Sequence, residues 1–166
     1  MTFYSTQSTD VLFDAARKGD LPLLKQLIAE GTDVNAHGPR GFTPLIIATY
    51  NNQLEASRLL LEAKADINAQ DFAGNTALMG ICFNGYEDIA ELLLENGADL
   101  NLQNGSGGTA LMFATMFGRN NMVKLMLEQG ADRDLRDSRG LTAEQMAQQV
   151  GNTEALHYFE TIGRKV

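Results

Sequence analysis

The side chains that could carry covalent or acid–base chemistry in this chain are few. Cys82 is its one cysteine, and His37 and His157 are its two histidines. A cysteine nucleophile needs a base within hydrogen-bond reach to form the thiolate, and neither histidine is near Cys82 in sequence. A metal centre of the zinc type needs His and Cys ligands at close, regular spacing, and no such pair occurs. Glu87, Asp88, Glu91 and Glu95 fall on one helix face, which suits either an acid–base pair or simply a solvated surface. Gly105-Ser106-Gly107-Gly108 has the glycine content of a phosphate-cradling loop, but the Lys-Ser/Thr that would hold the phosphates and magnesium does not follow it. No catalytic residue, no metal site and no cofactor is expected. An enzyme with an unrecognised site is the least favoured class.

Composition bounds the remaining classes. A chain of 166 residues, 44% hydrophobic and 20% charged, can bury the core of one globular domain. The net charge of −8 argues against nucleic acid and anionic membrane surfaces, which require clustered Lys and Arg. No apolar run reaches the roughly 18 to 20 residues that span a bilayer, so no membrane association is expected. A single cysteine fits the reducing cytoplasm, the compartment expected here. It leaves a periplasmic or secreted form open if a leader precedes the chain.

The elements that position these side chains follow from a strict internal period. Thr43, Thr76, Thr109 and Thr142 recur every 33 residues, each preceded two positions earlier by Gly41, Gly74, Gly107 or Gly140. Leu45, Leu78 and Leu111 follow two positions later, Glu144 breaking that column. Ala48, Ile81, Ala114 and Ala147 follow five later, and Asn52, Gly85, Gly118 and Gly151 nine later. A leucine-rich block at 59–61, 92–94 and 125–127 comes next, and each unit closes in a phrase such as "ENGADLN". Extending the frame backwards puts Asp10 in the threonine column. Each threonine is a helix N-cap, and the glycine nine residues on ends a short helix with positive φ. The leucine block forms a second helix whose apolar face must be covered by the next unit. A second helix-ending glycine stands at Gly31, Gly97, Gly130 and Gly163, with Lys64 out of pattern. Cys82 shares its column with Ala16, Thr49, Thr115 and Gln148, which predicts a packed small side chain. Methionines 79, 112, 122, 126 and 146 recur at core columns.

The unit "GFTPLIIATYNNQLEASRLLLEAKADINAQD" resembles an ankyrin repeat, with the family's T-P-L-H-x-A signature on a 33-residue period, and the resemblance covers about residues 10 to 163. It implies an all-α repeat solenoid of about five stacked helix-turn-helix units with β-hairpin fingers and a concave face lined by the first helices. The expected organisation is an N-terminal extension at 1–9 and one repeat domain at 10–166, with units at 10–38, 39–71, 72–104, 105–137 and 138–166. The family's usual histidine is replaced by Ile46, Met79, Met112 and Gln145. The resemblance therefore predicts loss of that side chain's bonds between loops, with apolar packing in their place. The last unit, bearing Glu144, Gln145, Gln148 and Gln149, reads as a terminal cap.

Most members of the family bind other proteins and are not catalytic, and their partner-facing positions are finger residues and first-helix ends. Those positions here include Arg40, Phe42, Tyr50, Phe72, Phe83, Met116, Phe117, Arg139 and Leu141, with Thr6, Gln7, Thr9, Arg17 and Lys18 in the first unit. The set contains no aspartate or glutamate, in a chain that has 21 of them. An aromatic centre with basic rims predicts a protein-binding surface, because aromatic anchors dominate hot spots. The expected function is a monomeric, non-catalytic module that binds a partner protein. Similarity to small stand-alone bacterial ankyrin proteins, some of which neutralise or protect a companion enzyme, adds inhibition or protection as an expectation. A self-assembling scaffold is the alternative.

Overall fold

The computed structural model describes residues 3–163, with side chains from Ser8 onward. Among the described residues the regular structure is helical: α1 Phe3–Lys18, α2 Leu21–Ala29, α3 Pro44–Tyr50, α4 Leu54–Glu62, α5 Ala77–Asn84, α6 Glu87–Glu95, α7 Ala110–Met116, α8 Asn120–Glu128, α9 Ala143–Val150 and α10 Thr153–Thr161, with a 3₁₀ turn at Pro39–Gly41. Each odd-numbered helix packs on the even-numbered one that follows it. Odd helices also pack on odd ones in chain order, and even on even, so two layers run the length of the stack.

The threonine column caps the odd helices. Thr43, Thr76, Thr109 and Thr142 accept from the backbone N–H groups of Ile46, Met79, Met112 and Gln145 at 3.2–3.3 Å, satisfying one of the orphan donors at each helix start. Asp10 has no such role, since α1 begins at Phe3 and holds Asp10 in its interior. Between the layers the apolar columns meet. Leu45, Leu78 and Leu111, then Ala48, Ile81, Ala114 and Ala147, are almost wholly buried, as are Leu60, Leu93, Met126 and Phe159 from the even helices. Cys82 and all five repeated methionines lie in this core. Burying a leucine or methionine contributes about 1.5–3 kcal/mol, whereas Leu93→Ala, which leaves a cavity between two units, costs about 2–5 kcal/mol.

The loops between units contain no strand among the described residues. Each closes on itself through two backbone bonds, one from Gly38 N–H to Phe42 O, Asp71 to Asn75, Asn104 to Gly108 or Asp137 to Leu141, and a tighter one from Gly41 N–H to Gly38 O, Gly74 to Asp71, Gly107 to Asn104 or Gly140 to Asp137. Neighbouring loops then bond to each other: Phe72 N–H to Arg40 O, Gly105 N–H to Ala73 O and Ser138 N–H to Ser106 O. Side-chain bonds between loops come from a different column than the family's histidine. Gln70 Nε2 donates to Gly74 O and across to Gln103 O, and Gln103 Nε2 does the same to Gly107 O and Arg136 O. A polar residue six positions before the threonine thus links the loops, while Met79 and Met112 take up the apolar space behind it. The glycine two before the threonine makes the approach possible. A Cβ on Gly74 would meet Gly105 N at 2.8 Å and one on Gly107 would meet Asp137 Cα at 2.9 Å, but one on Gly140 would meet nothing within 4 Å.

Asparagines at the end of each closing phrase tie the units together a second time. Asn35, Asn68 and Asn101 Oδ1 accept from the N–H groups of Asp66, Asp99 and Asp132 at 2.7–2.8 Å. In the last unit, Arg133 donates to Phe159 O and Ile162 O and lies over the Phe159 ring, fixing the end of α10.

Candidate functional site

Two concavities open between the odd helices and the loops that precede them. The larger, of about 440 Å³, is lined by Arg40 and Phe42 of the first loop, Ile46, Ile47 and Tyr50 of α3, Met79, Gly80 and Phe83 of α5, and Phe113 of α7, with Arg17, Asp71 and Asn75 at its edge. The second, of about 370 Å³, is lined by Met112, Phe113 and Met116 of α7, Met146 of α9, and Ser106, Ser138 and Arg139 from the loops. Phe113 forms the wall between them.

The residues expected to contact a partner are therefore distributed as follows. Arg40, Phe42, Tyr50 and Phe83 meet in the first concavity, and Met116 and Arg139 in the second. Phe117 joins the two groups, with its ring 4.6 Å from that of Phe83 edge-on and 6.3 Å from that of Phe113. Phe72 rides on the loop above Gly41, and at 80% exposed it is the most accessible large apolar side chain described. Tyr50, Phe117 and Met116 are 49%, 46% and 43% exposed, whereas Phe83 and Phe42 are half-buried. Leu141 is half-buried and packs against the core. The side chains of Thr6 and Gln7 lie outside those described.

The backbone at this surface is held from the next unit. Asn84 Nδ2 donates to Tyr50 O at 3.1 Å, and Arg119 Nε donates to Phe83 O at 2.8 Å. These bonds fill carbonyls left open at the helix C-termini and fix the aromatic side chains relative to one another.

Charge is less uniform than the residue columns imply. Asp71 and Asp137, which are not partner-facing columns, line the concavities. Asp71 is occupied by its own loop, accepting from the N–H groups of Ala73 and Asn75. Asp137 accepts from Arg139 N–H and Leu141 N–H and forms an ion pair with the Arg139 guanidinium at 2.9 Å. Burial alone would raise the Asp137 pKa, but those hydrogen bonds and the arginine charge outweigh it and hold it below the ordinary value. Arg139 is thus neutralised. Arg17 shares Asp14 with Lys18, at 3.8 and 2.9 Å. The Arg40 guanidinium has no hydrogen-bond or ion-pair partner among the described residues, and it is the fully available cation of the surface.

Cys82 is buried in the core, where desolvation pushes the thiol up to about 12. Glu87, Asp88, Glu91 and Glu95 sit on α6, and no three His, Cys, Asp or Glu side chains among the described residues are grouped to hold a metal ion. No helix among the described residues is long and apolar enough to cross a membrane.

Sequence reasoning missed Ile46, Ile47, Asp71, Thr76, Met79, Gly80 and Phe113 of the first concavity. Phe113 stands four positions after Thr109, a column it shares with Ile47, Met146 and Gly80. The departure of Gly80 from an otherwise bulky column was the available signal.

A comparison with curated proteins gives no match. The family profile described as "Ankyrin repeats (3 copies)" matches residues 12–104 and again 96–160. Ankyrin repeats are in general protein–protein interaction modules, typically without catalysis. With the two matches running from α1 into α10 and the paired helices repeating in phase, the chain belongs to the ankyrin repeat family.

Proposed function

We propose that this chain is a non-catalytic module of five stacked repeats that grips one partner protein on a concave face formed by its odd helices and finger-like loops. The reading keeps the units at 10–38, 39–71, 72–104, 105–137 and 138–166, treats 1–9 as an extension, and takes the protein to be a monomer. The observation that carries it is the run of Tyr50, Phe72, Phe117 and Met116, large apolar side chains left 43–80% exposed on one series of helix ends and loops. An apolar patch of this kind marks a contact surface, and aromatic side chains are its usual anchors. A stack of ankyrin repeats acts by occupying its partner, so inhibition or protection of a companion enzyme is the mode favoured.

The test compares the intact chain with Phe72→Ala/Phe117→Ala as bait in its native extract. Both residues are exposed, so their truncation spares the core. The double variant should keep its thermal midpoint within a few degrees and lose the captured protein, since hot-spot aromatics each contribute about 2 kcal/mol or more. Undiminished capture would refute the placement. A mass in solution above that of one chain would favour the scaffold instead.

A further inference from the structure

The first concavity exists because one side chain is missing. Four positions after the capping threonine the repeats carry Ile47, Phe113 and Met146, but α5 carries Gly80. Glycine inside a helix is unfavourable relative to alanine, and it is normally retained where a neighbour approaches too closely or φ is positive. Neither applies. Gly80 is absent from the positive-φ glycines, and a Cβ built on it would meet only Tyr50 Cδ2, at an ordinary 3.5 Å. No packing demand explains this residue. What its lack of a side chain does is leave open the floor between Ile47, Tyr50, Met79, Phe83 and Phe113.

A second departure from the repeat stands on the rim. In the loop Gly38-Pro39-Arg40-Gly41, closed by Gly41 N–H to Gly38 O, Arg40 has φ 61° and ψ 12°, left-handed values that favour glycine. The equivalent Ala73, Ser106 and Arg139 do not adopt positive φ. The strained residue is the one arginine of the surface whose guanidinium has no partner among the described residues. Arg17 adds a partly compensated charge beside it, and the one carboxylate of the lining, Asp71, accepts from its own loop amides.

We infer that this pocket is a receptor for a partner segment in which a large apolar side chain, aromatic or branched, stands next to an aspartate or glutamate. The apolar group fills the space over Gly80, and the carboxylate pairs with Arg40. Size and charge both support this occupant. A cavity of about 150 Å³ admits a benzene ring, so about 440 Å³ takes an aromatic side chain together with flanking backbone. Planar carboxylates match the guanidinium fork, whose pairing is strongest where water is excluded. The inference rests on the partner-binding reading above and assigns that surface its specificity.

The probe is a phage-displayed library of random 12-residue peptides, selected on the intact chain and counter-selected on Gly80→Met, which fills the pocket with the residue that α9 carries in this column. Enriched peptides should pair an aromatic or branched aliphatic residue with an adjacent Asp or Glu. In fluorescence anisotropy, a synthetic peptide of that sequence should bind at least tenfold more weakly to Gly80→Met and to Arg40→Gln. Its affinity should fall with salt for the parent and much less for Arg40→Gln. Gly80→Ala, which adds a single methyl group, should raise the thermal midpoint and keep most of the affinity, which separates pocket filling from damage to α5. Peptides enriched without a carboxylate, affinity indifferent to both substitutions, or no enrichment at all would overturn the inference. If Phe72→Ala/Phe117→Ala, both outside this pocket, abolishes partner capture while Gly80→Met does not, the surface is the interface and the pocket is not its specificity element.

Discussion

Lys64 occupies a position where four other units have glycine, and the structure isolates what that costs. Its φ is 71°, against 83°, 83° and 84° at Gly31, Gly97 and Gly130, so the helix end has the same left-handed geometry with a Cβ attached. At those three glycines an added Cβ would meet nothing within 4 Å, so the penalty is purely conformational. An L-residue in this region costs about 1–2 kcal/mol. Replacing it with glycine restores about 0.4–1 kcal/mol of unfolded-state freedom, which opposes the gain. The backbone term is the larger, and Lys64→Gly should stabilise the protein by about 0.5–1 kcal/mol. The Lys64 ammonium has no partner among the described residues to lose, and the bond from Asn35 Nδ2 to Lys64 O survives the change. In a chain of this size that gain is about 1–4 °C in thermal midpoint. Lys64→Ala keeps the Cβ and should gain nothing, and Gly97→Ala should lose what Lys64→Gly gains. An unchanged midpoint for Lys64→Gly, or an equal gain for Lys64→Ala, would refute the backbone argument.

Three further perturbations separate local causes. Gly74→Ala and Gly140→Ala share the positive-φ penalty, but only the first drives a Cβ into the next loop, so urea unfolding should show the first variant clearly less stable than the second. Asp137 has a depressed folded pKa, so its contribution is fully present above the unfolded carboxylate value of about 3.9 and is lost as pH falls through the lower folded value. Asp137→Asn should keep the loop, as Asn104 does with bonds from Ser106 and Gly108, and thermal midpoints from pH 7 down to pH 3 should find its deficit shrinking with acidification. Cys82, buried with its thiol near 12, should be silent to an aromatic disulfide reagent at pH 8 and react at the rate of unfolding when urea is added; prompt labelling of the native protein would contradict the packing described.

The helix pairs were legible because each column states its own physical requirement. A threonine that caps, a glycine that ends a helix and a leucine that must be covered recur for the same reason from unit to unit, with Asp10, Asn52, Lys64 and Glu144 as the departures. The linkage between loops was less legible, since the column holds a histidine, two glutamines and an arginine, and only the bonds of His37, Gln70, Gln103 and Arg136 to the carbonyl four residues on identify them as one column. The surface was legible in membership and not in charge. Phe42, Tyr50 and Phe83 do meet, but nothing in the spacing of Arg139 indicates that Asp137 neutralises it and leaves Arg40 available.

Departures from the repeat are not spread evenly, and their distribution separates tolerated defects from functional ones. The non-glycine residues described with positive φ are Arg40, Asn52 and Lys64, all within one unit. Asn52 needs little explanation, because asparagine tolerates the left-handed region better than other side chains do. Lys64 is outside both concavities, so partner binding gives no reason to keep it, and its strain should be removable without loss of function. Arg40 differs from both. Its strain places an uncompensated cation beside a pocket opened by an unfavourable glycine in the adjacent helix, and each feature without the other would lower stability to no purpose. On the inference drawn above, the two costs converge on one cavity because both serve the ligand it takes. That is why relief of strain at Lys64 should leave peptide binding unchanged, whereas Arg40→Gly should stabilise the fold and weaken binding together.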